Sequence, residues 1–132
     1  MVAISFQKRF APPIIAGDKR QTIRAERKRP IRPGQLLHLF TGMRTKHCRR
    51  IGVATCTAVL PIWIDFVMDT VTIFKRPMLS EMAALDTFAV RDGFRDWRDM
   101  HAFWQPKDEG VLSFHGVLIE WDTTFWPTLE EA

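Results

Sequence analysis

Within eight residues, Gly17 to Arg24, the chain places a lysine (Lys19), a hydroxyl (Thr22) and two arginines (Arg20 and Arg24). A lysine held among cations and partly out of water gives up its proton more readily. It can then serve as a base or activate a neighbouring hydroxyl. The same cluster is equally suited to hold a phosphate, and a string of this kind is also a common surface turn. These three readings stay open at this point.

The flanking residues say how the cluster is held. Phe10 to Ala16 is a short apolar run with Pro12 and Pro13 at its start, and Gly17 stands where a helix of one or two turns ends on a left-handed residue. Thr22, Ile23 and Arg24 read as extended. Alternation then puts Thr22 and Arg24 on one face and Ile23 on the other. Lys19 falls on the intervening turn, from which its ammonium is expected to swing over the Thr22 hydroxyl.

Charge is divided along the chain. Residues 1–50 hold 13 of the 19 Lys and Arg against two acids, a net of +11, whereas residues 51–132 carry a net of −7. Arg20, Arg27, Lys28, Arg29, Arg32, Arg44 and Lys46 form the exposed part of that basic half. They suit a polyanion such as RNA, because each phosphate neutralised releases counterions. The alternative is a charged face paired with the acidic half of the same molecule.

Cys48 and Cys56 are too few for a disulfide scaffold, and no spacing with His38, His47, His101 or His115 matches a zinc signature. No metal and no cofactor is expected. No apolar run approaches the ~20 residues of a membrane span and no signal peptide is visible, so a cytoplasmic protein without a membrane partner is expected.

In chain order, Val2–Phe6 reads as a strand, and 27–34, with two prolines and a glycine, as a basic loop. Gln35–Thr41 and Cys48–Val59 read as a hairpin around the loop carrying Arg44 and Lys46, with Ile51, Val53, Thr55, Thr57 and Val59 sharing one face. Pro61 is expected to interrupt the run, and Val71–Phe74 to add a short strand. Ser80 reads as the N-cap of a helix through Met82, Leu85, Phe88 and Ala89, ending near Asp92-Gly93. Asp96 caps a second helix, Trp97 to Trp104, whose aromatic stripe reads as core. Val111–Trp121 closes a single domain over residues 1–121, followed by a weakly ordered tail at 122–132. The whole is an α+β fold, a partly closed β-barrel of five to six strands with two short helices inserted before the last strand.

Phe6-Gln7-Lys8-Arg9-Phe10, the Ile15-Ala16-Gly17-x-Lys19-x-x-Thr22-Ile23-Arg24 string, the Pro33-Gly34-Gln35 turn and Phe88-Ala89-x-x-Asp92-Gly93-Phe94 together resemble the ASCH domain family, over about residues 4–121. The resemblance implies a PUA-like β-barrel that acts on RNA or modified nucleosides. Its nearest enzymatic members are the small bacterial acetylcytidine amidohydrolases, which carry glutamate where this chain has Asp92. It implies a catalytic trio of Lys19, Thr22 and Asp92, with Arg24, Gly17 and Arg9 at the substrate and Phe40 or a tryptophan as an aromatic wall. The reaction implied is hydrolysis of an exocyclic amide. The alternatives are a non-catalytic RNA-binding module and a ribonuclease, and Asp92 has the further reading of a turn aspartate before Gly93.

Overall fold

The computed structural model describes residues 2–105 and 110–122. The expected tail lies outside them except for Asp122, which exchanges hydrogen bonds with Thr55. Trp126 falls in the same undescribed segment.

The chain opens with β1 (Val2–Phe6), a 3-10 turn (Lys8–Phe10) and α1 (Ala11–Ala16). β2 (Gln21–Arg24), β3 (Leu36–Thr41), β4 (Arg49–Asp65) and β5 (Thr70–Ile73) follow. Two helices, α2 (Met82–Arg91) and α3 (Trp97–Phe103), then precede β6 (Ser113–Trp121). The result is a mixed α+β fold with a six-stranded sheet, ordered β1-β3-β4-β6-β2, in which β5 pairs with the far end of β4. The β1–β3 pair is parallel and the others are antiparallel.

The sheet is not closed: β1 and β2 stand at the two ends of the strand order. They nonetheless approach each other, because the Arg24 guanidinium on β2 donates to the Ser5 carbonyl on β1 at 2.7 Å. Phe6 and Trp121 meet edge-on inside the curl, 6.0 Å apart. A seam bridged by side chains stands where a closed barrel would have a ladder.

Three local expectations are corrected. β4 runs unbroken through Pro61, which pairs with Val117. The Pro61 carbonyl accepts from the Phe74 N–H, so the missing Pro N–H points to the β5 side, just beyond where the β4–β5 register begins at Ile62. The single-face alternation of residues 51–59 is lost because Ile51 and Thr57 are each inserted at a register shift. Ile51 through Ala54 are consequently all buried while Thr57 is exposed. Glu81, not Ser80, is the N-cap of α2, without a side-chain capping bond.

Asp96 does cap α3, accepting from the Asp99 N–H at 2.8 Å. The α3 stripe is core: Trp97 stacks on Phe66 at 5.7 Å, and Trp104 lies 5.8 Å from the same ring. Leu85, Phe88 and Ala89 of α2 are buried, which carries Asp92, at the end of that helix, to the seam. Among the described residues, no helix is long and apolar enough to cross a membrane.

Candidate functional site

Gly17 ends α1 with φ 85°, and the Asp18 and Lys19 N–H groups both donate to the Pro13 carbonyl, at 2.9 and 3.0 Å. This tight cap turns the chain back on the helix and sends Lys19 inward, where it is 2% exposed. Its ammonium donates to the carbonyl of Gln21 at 2.8 Å and to the carbonyl of Asp92, and stands 3.8 Å from Asp92 Oδ1. Gly17 itself acts as a helix stop and does not line the cavity.

Asp92 is the C-cap of α2, a place where the helix dipole disfavours an acid. Its N–H donates to the helix carbonyls of Phe88 and Ala89, while its carboxyl is buried and turned to Lys19 and Gln21. The Gln21 side-chain amide donates to Oδ1 at 3.1 Å. The turn-aspartate reading therefore describes its backbone and not its side chain. Gly93, next to it, has φ 97°, and a Cβ there would stand 2.8 Å from both Lys19 Cδ and the Phe10 ring. The lysine stem occupies the space a side chain would need.

Burial governs the protonation of both groups. It lowers the Lys19 pKa to about 8, with Asp92 opposing the shift and Arg24 adding to it. Arg20, expected to share in this, is exposed and lines a separate depression with Asp18 and Glu120. Burial likewise raises the Asp92 pKa, against the pull of Lys19, Gln21 and Arg24. A lysine and a carboxyl that both lean toward their neutral forms are thus held side by side.

Thr22 and Arg24 share a face, as alternation required, and Arg24 Nε donates to Thr22 Oγ1 at 3.0 Å. The partner of the hydroxyl is Arg24, while the bonds of the Lys19 ammonium run to Gln21 and Asp92, so the expected lysine-over-threonine arrangement is corrected. The Trp121 N–H donates to the Arg20 carbonyl, and Thr22 pairs with Ile119. By antiparallel alternation, the N–H and C=O of Ile23 then point to the edge of β2 that has no neighbouring strand.

Lys19, Thr22, Ile23, Arg24 and Asp92 meet at one cavity of about 510 Å³ in the seam. Lys19, Thr22, Arg24 and Asp92 supply its polar wall, and Phe6, Phe10, Phe94, Phe103 and Trp104 its aromatic wall. Trp104 was among the aromatic candidates. Phe40 was too, but it lies half-buried on β3, opposite Ser5 and Arg50, outside this cavity. Arg9 pairs with Asp99 at 2.6 Å and covers the Phe94 and Phe103 rings from outside, 5.0 and 5.7 Å from their centroids.

Arg27, Lys28, Arg29 and Arg32 are exposed on the β2–β3 loop, and Arg44 and Lys46 on the β3–β4 loop. The Arg32 carbonyl bonds to Gln35 just before β3, so Arg32 lies at the opposite end of that strand from Arg44 and Lys46. Among the described residues, no cluster of His, Cys, Asp and Glu is arranged to hold a metal ion, and Cys48 and Cys56 are free thiols.

Sequence reasoning missed Gln21, which holds Lys19 through its carbonyl and Asp92 through its side chain. A buried polar residue on the Ile23 face was the available signal. It also missed the four phenylalanines, of which the Phe6 to Phe10 spacing gave the best hint. Comparison of the chain with protein-family models, curated proteins and solved structures found no match.

Proposed function

We propose that this chain is an ASCH-type protein with a PUA-like barrel, and that the seam cavity hydrolyses an acylated exocyclic amine of a cytidine-type nucleoside, free or within RNA. The observation that carries this reading is the convergence of Lys19, Thr22, Arg24 and Asp92 on one aromatic-walled cavity of about 510 Å³. That size lies in the usual range for small-molecule sites, and aromatic walls suit a base.

The proposed chemistry uses Lys19 and Asp92 in the neutral forms toward which burial shifts them. Neutral Lys19 takes a proton from a water oriented by the Thr22 hydroxyl, and that water oxygen bonds to the acyl carbon. Thr22 positions the water and is not itself the nucleophile, because the Lys19 amine that would take its proton is bonded to the Gln21 and Asp92 carbonyls and not to its hydroxyl. The Arg24 guanidinium and the Ile23 N–H steady the oxyanion. Protonated Asp92 delivers its proton to the amine nitrogen as the carbon–nitrogen bond breaks, and a carboxylic acid and cytidine leave.

The test is to incubate the protein with acetylcytidine and follow cytidine release by chromatography, with Lys19→Met in parallel. Release that the variant loses supports the reading. No release by the native protein overturns it, and favours the RNA-binding module, for which the exposed Arg27-Lys28-Arg29 run beside Arg24 is the supporting feature.

A further inference from the structure

A second depression, of about 540 Å³, lies on the outer face of the β4–β5–β6 ladder. Trp63 and His115 are direct cross-strand partners there, with ring centroids 4.7 Å apart and planes tilted by 33°. Phe74 lines the same depression. Trp63 is 48% and Phe74 52% exposed, a large apolar surface for side chains of this size to leave in water.

The charged groups around the shelf indicate what would cover it. The Lys75 ammonium stands 5.3 Å from the Phe74 ring centroid. Arg27 lines the adjoining depression, which shares Glu26 and Pro61 with the shelf. Arg27 also bears on Arg24 in the seam cavity, whose pKa its charge helps to lower after the larger effect of burial. Aromatic rings flanked by cations are the surface that single strands use, bases on the rings and phosphates on the cations. Glu26, at the rim, adds an acceptor of the kind that pairs with an exocyclic amine of a base.

We infer that the shelf of Trp63, His115 and Phe74 binds an unpaired nucleobase of a single-stranded nucleic acid, with Arg27 and Lys75 neutralising the adjacent phosphates. Resting on the proposed function, this makes the shelf the place where a base neighbouring the modified nucleotide docks, with Arg27 between the two. The shelf therefore favours a strand over a free nucleoside.

The test measures binding of a fluorescently labelled single-stranded RNA by anisotropy for the native protein, Trp63→Ala, Trp63→Phe and Lys19→Met, with single-stranded DNA and a duplex as competitors. The expected result is a loss of about five- to a hundredfold in affinity for Trp63→Ala. Trp63→Phe should recover most of it, and Lys19→Met should stay within about threefold of native. In the hydrolysis assay, Trp63→Ala should leave turnover of free acetylcytidine unchanged. Binding is read without turnover, so failure of the hydrolase reading leaves the result interpretable. Equal affinity of Trp63→Ala and native protein overturns the inference, as does preference for the duplex. Self-association of the native protein that Trp63→Ala abolishes overturns it too, because a second copy would then cover the shelf.

Discussion

The Lys19 ammonium and the Asp92 carboxyl lie 3.8 Å apart, each almost fully buried, one on the turn before β2 and the other at the end of α2. A lysine in water would be charged, and so would an aspartate. Here burial shifts both toward their neutral forms, down for the lysine and up for the carboxyl. That is the property the proposed hydrolysis uses, and it makes the pair sensitive to pH and to its immediate supports.

Stability should report the Lys19 proton. Its pKa is lowered from 10.5 to about 8 on folding, so the unfolded chain holds the proton more tightly. The stability this group contributes is complete above the unfolded value and is lost as pH falls through about 8. Urea unfolding of native protein and Lys19→Met should therefore show a gap that shifts in favour of the native protein from pH 7.5 to 10, by on the order of 3 kcal/mol. A gap independent of pH would contradict this.

Turnover should follow the same proton. With acetylcytidine as substrate, kcat/KM is expected to rise with pH toward a midpoint near 8, as Lys19 becomes neutral. Lys19→Met should remove that limb together with most of the activity. A native rate that is flat between pH 6 and 9 would remove Lys19 as the base.

Asp92→Asn should separate proton donation from packing. Burial already favours a neutral carboxyl, so the amide is expected to cost less than about 1 kcal/mol in thermal unfolding. Loss of the general acid should lower kcat by about 100-fold or more. A stable variant with native kcat would leave Asp92 a structural role only.

Gln21→Leu should change a pKa as well as a rate. The Gln21 amide bond to Oδ1 favours ionised Asp92, so its removal raises the Asp92 pKa further. The limb of the rate profile set by loss of the Asp92 proton should move to higher pH. A fall in kcat with both limbs in place would mark Gln21 as packing alone.

Gly93→Ala and Gly34→Ala have similar φ values, 97° and 93°, but only Gly93 has side chains within 3 Å of the new Cβ. Both carry the backbone strain, and Gly93→Ala also displaces Lys19. The expected cost is about 2 to 4 kcal/mol at Gly93, against about 1 at Gly34, read by calorimetry. Equal costs would mean the lysine stem yields freely.

Much of this was legible along the chain, because the signals are local. A glycine after a short apolar run does stop α1, Asp96 does cap α3, and the Thr22–Arg24 alternation holds because β2 is short and regular. Expectations that depended on an uninterrupted period failed where neighbouring strands imposed the register. The faces of residues 51–59 were lost to two inserted residues, and Pro61 stayed in its strand because its absent donor faces the end of the β5 pairing.

Residue types and spacing alone determined that Lys19, Thr22 and Arg24 stand close together at a helix–strand junction, and that the basic charge gathers in the first 50 residues. Only the tertiary structure decided that Asp92, 73 residues away, faces Lys19, that Gln21 holds both, and that the hydroxyl belongs to Arg24. It also decided that phenylalanines wall the cavity and that Trp63 is left in the open. The reason is physical. Caps and alternation are set by the backbone within a few residues, whereas burial, and with it the protonation of Lys19 and Asp92, depends on what the curled sheet and α2 bring together from distant parts of the chain.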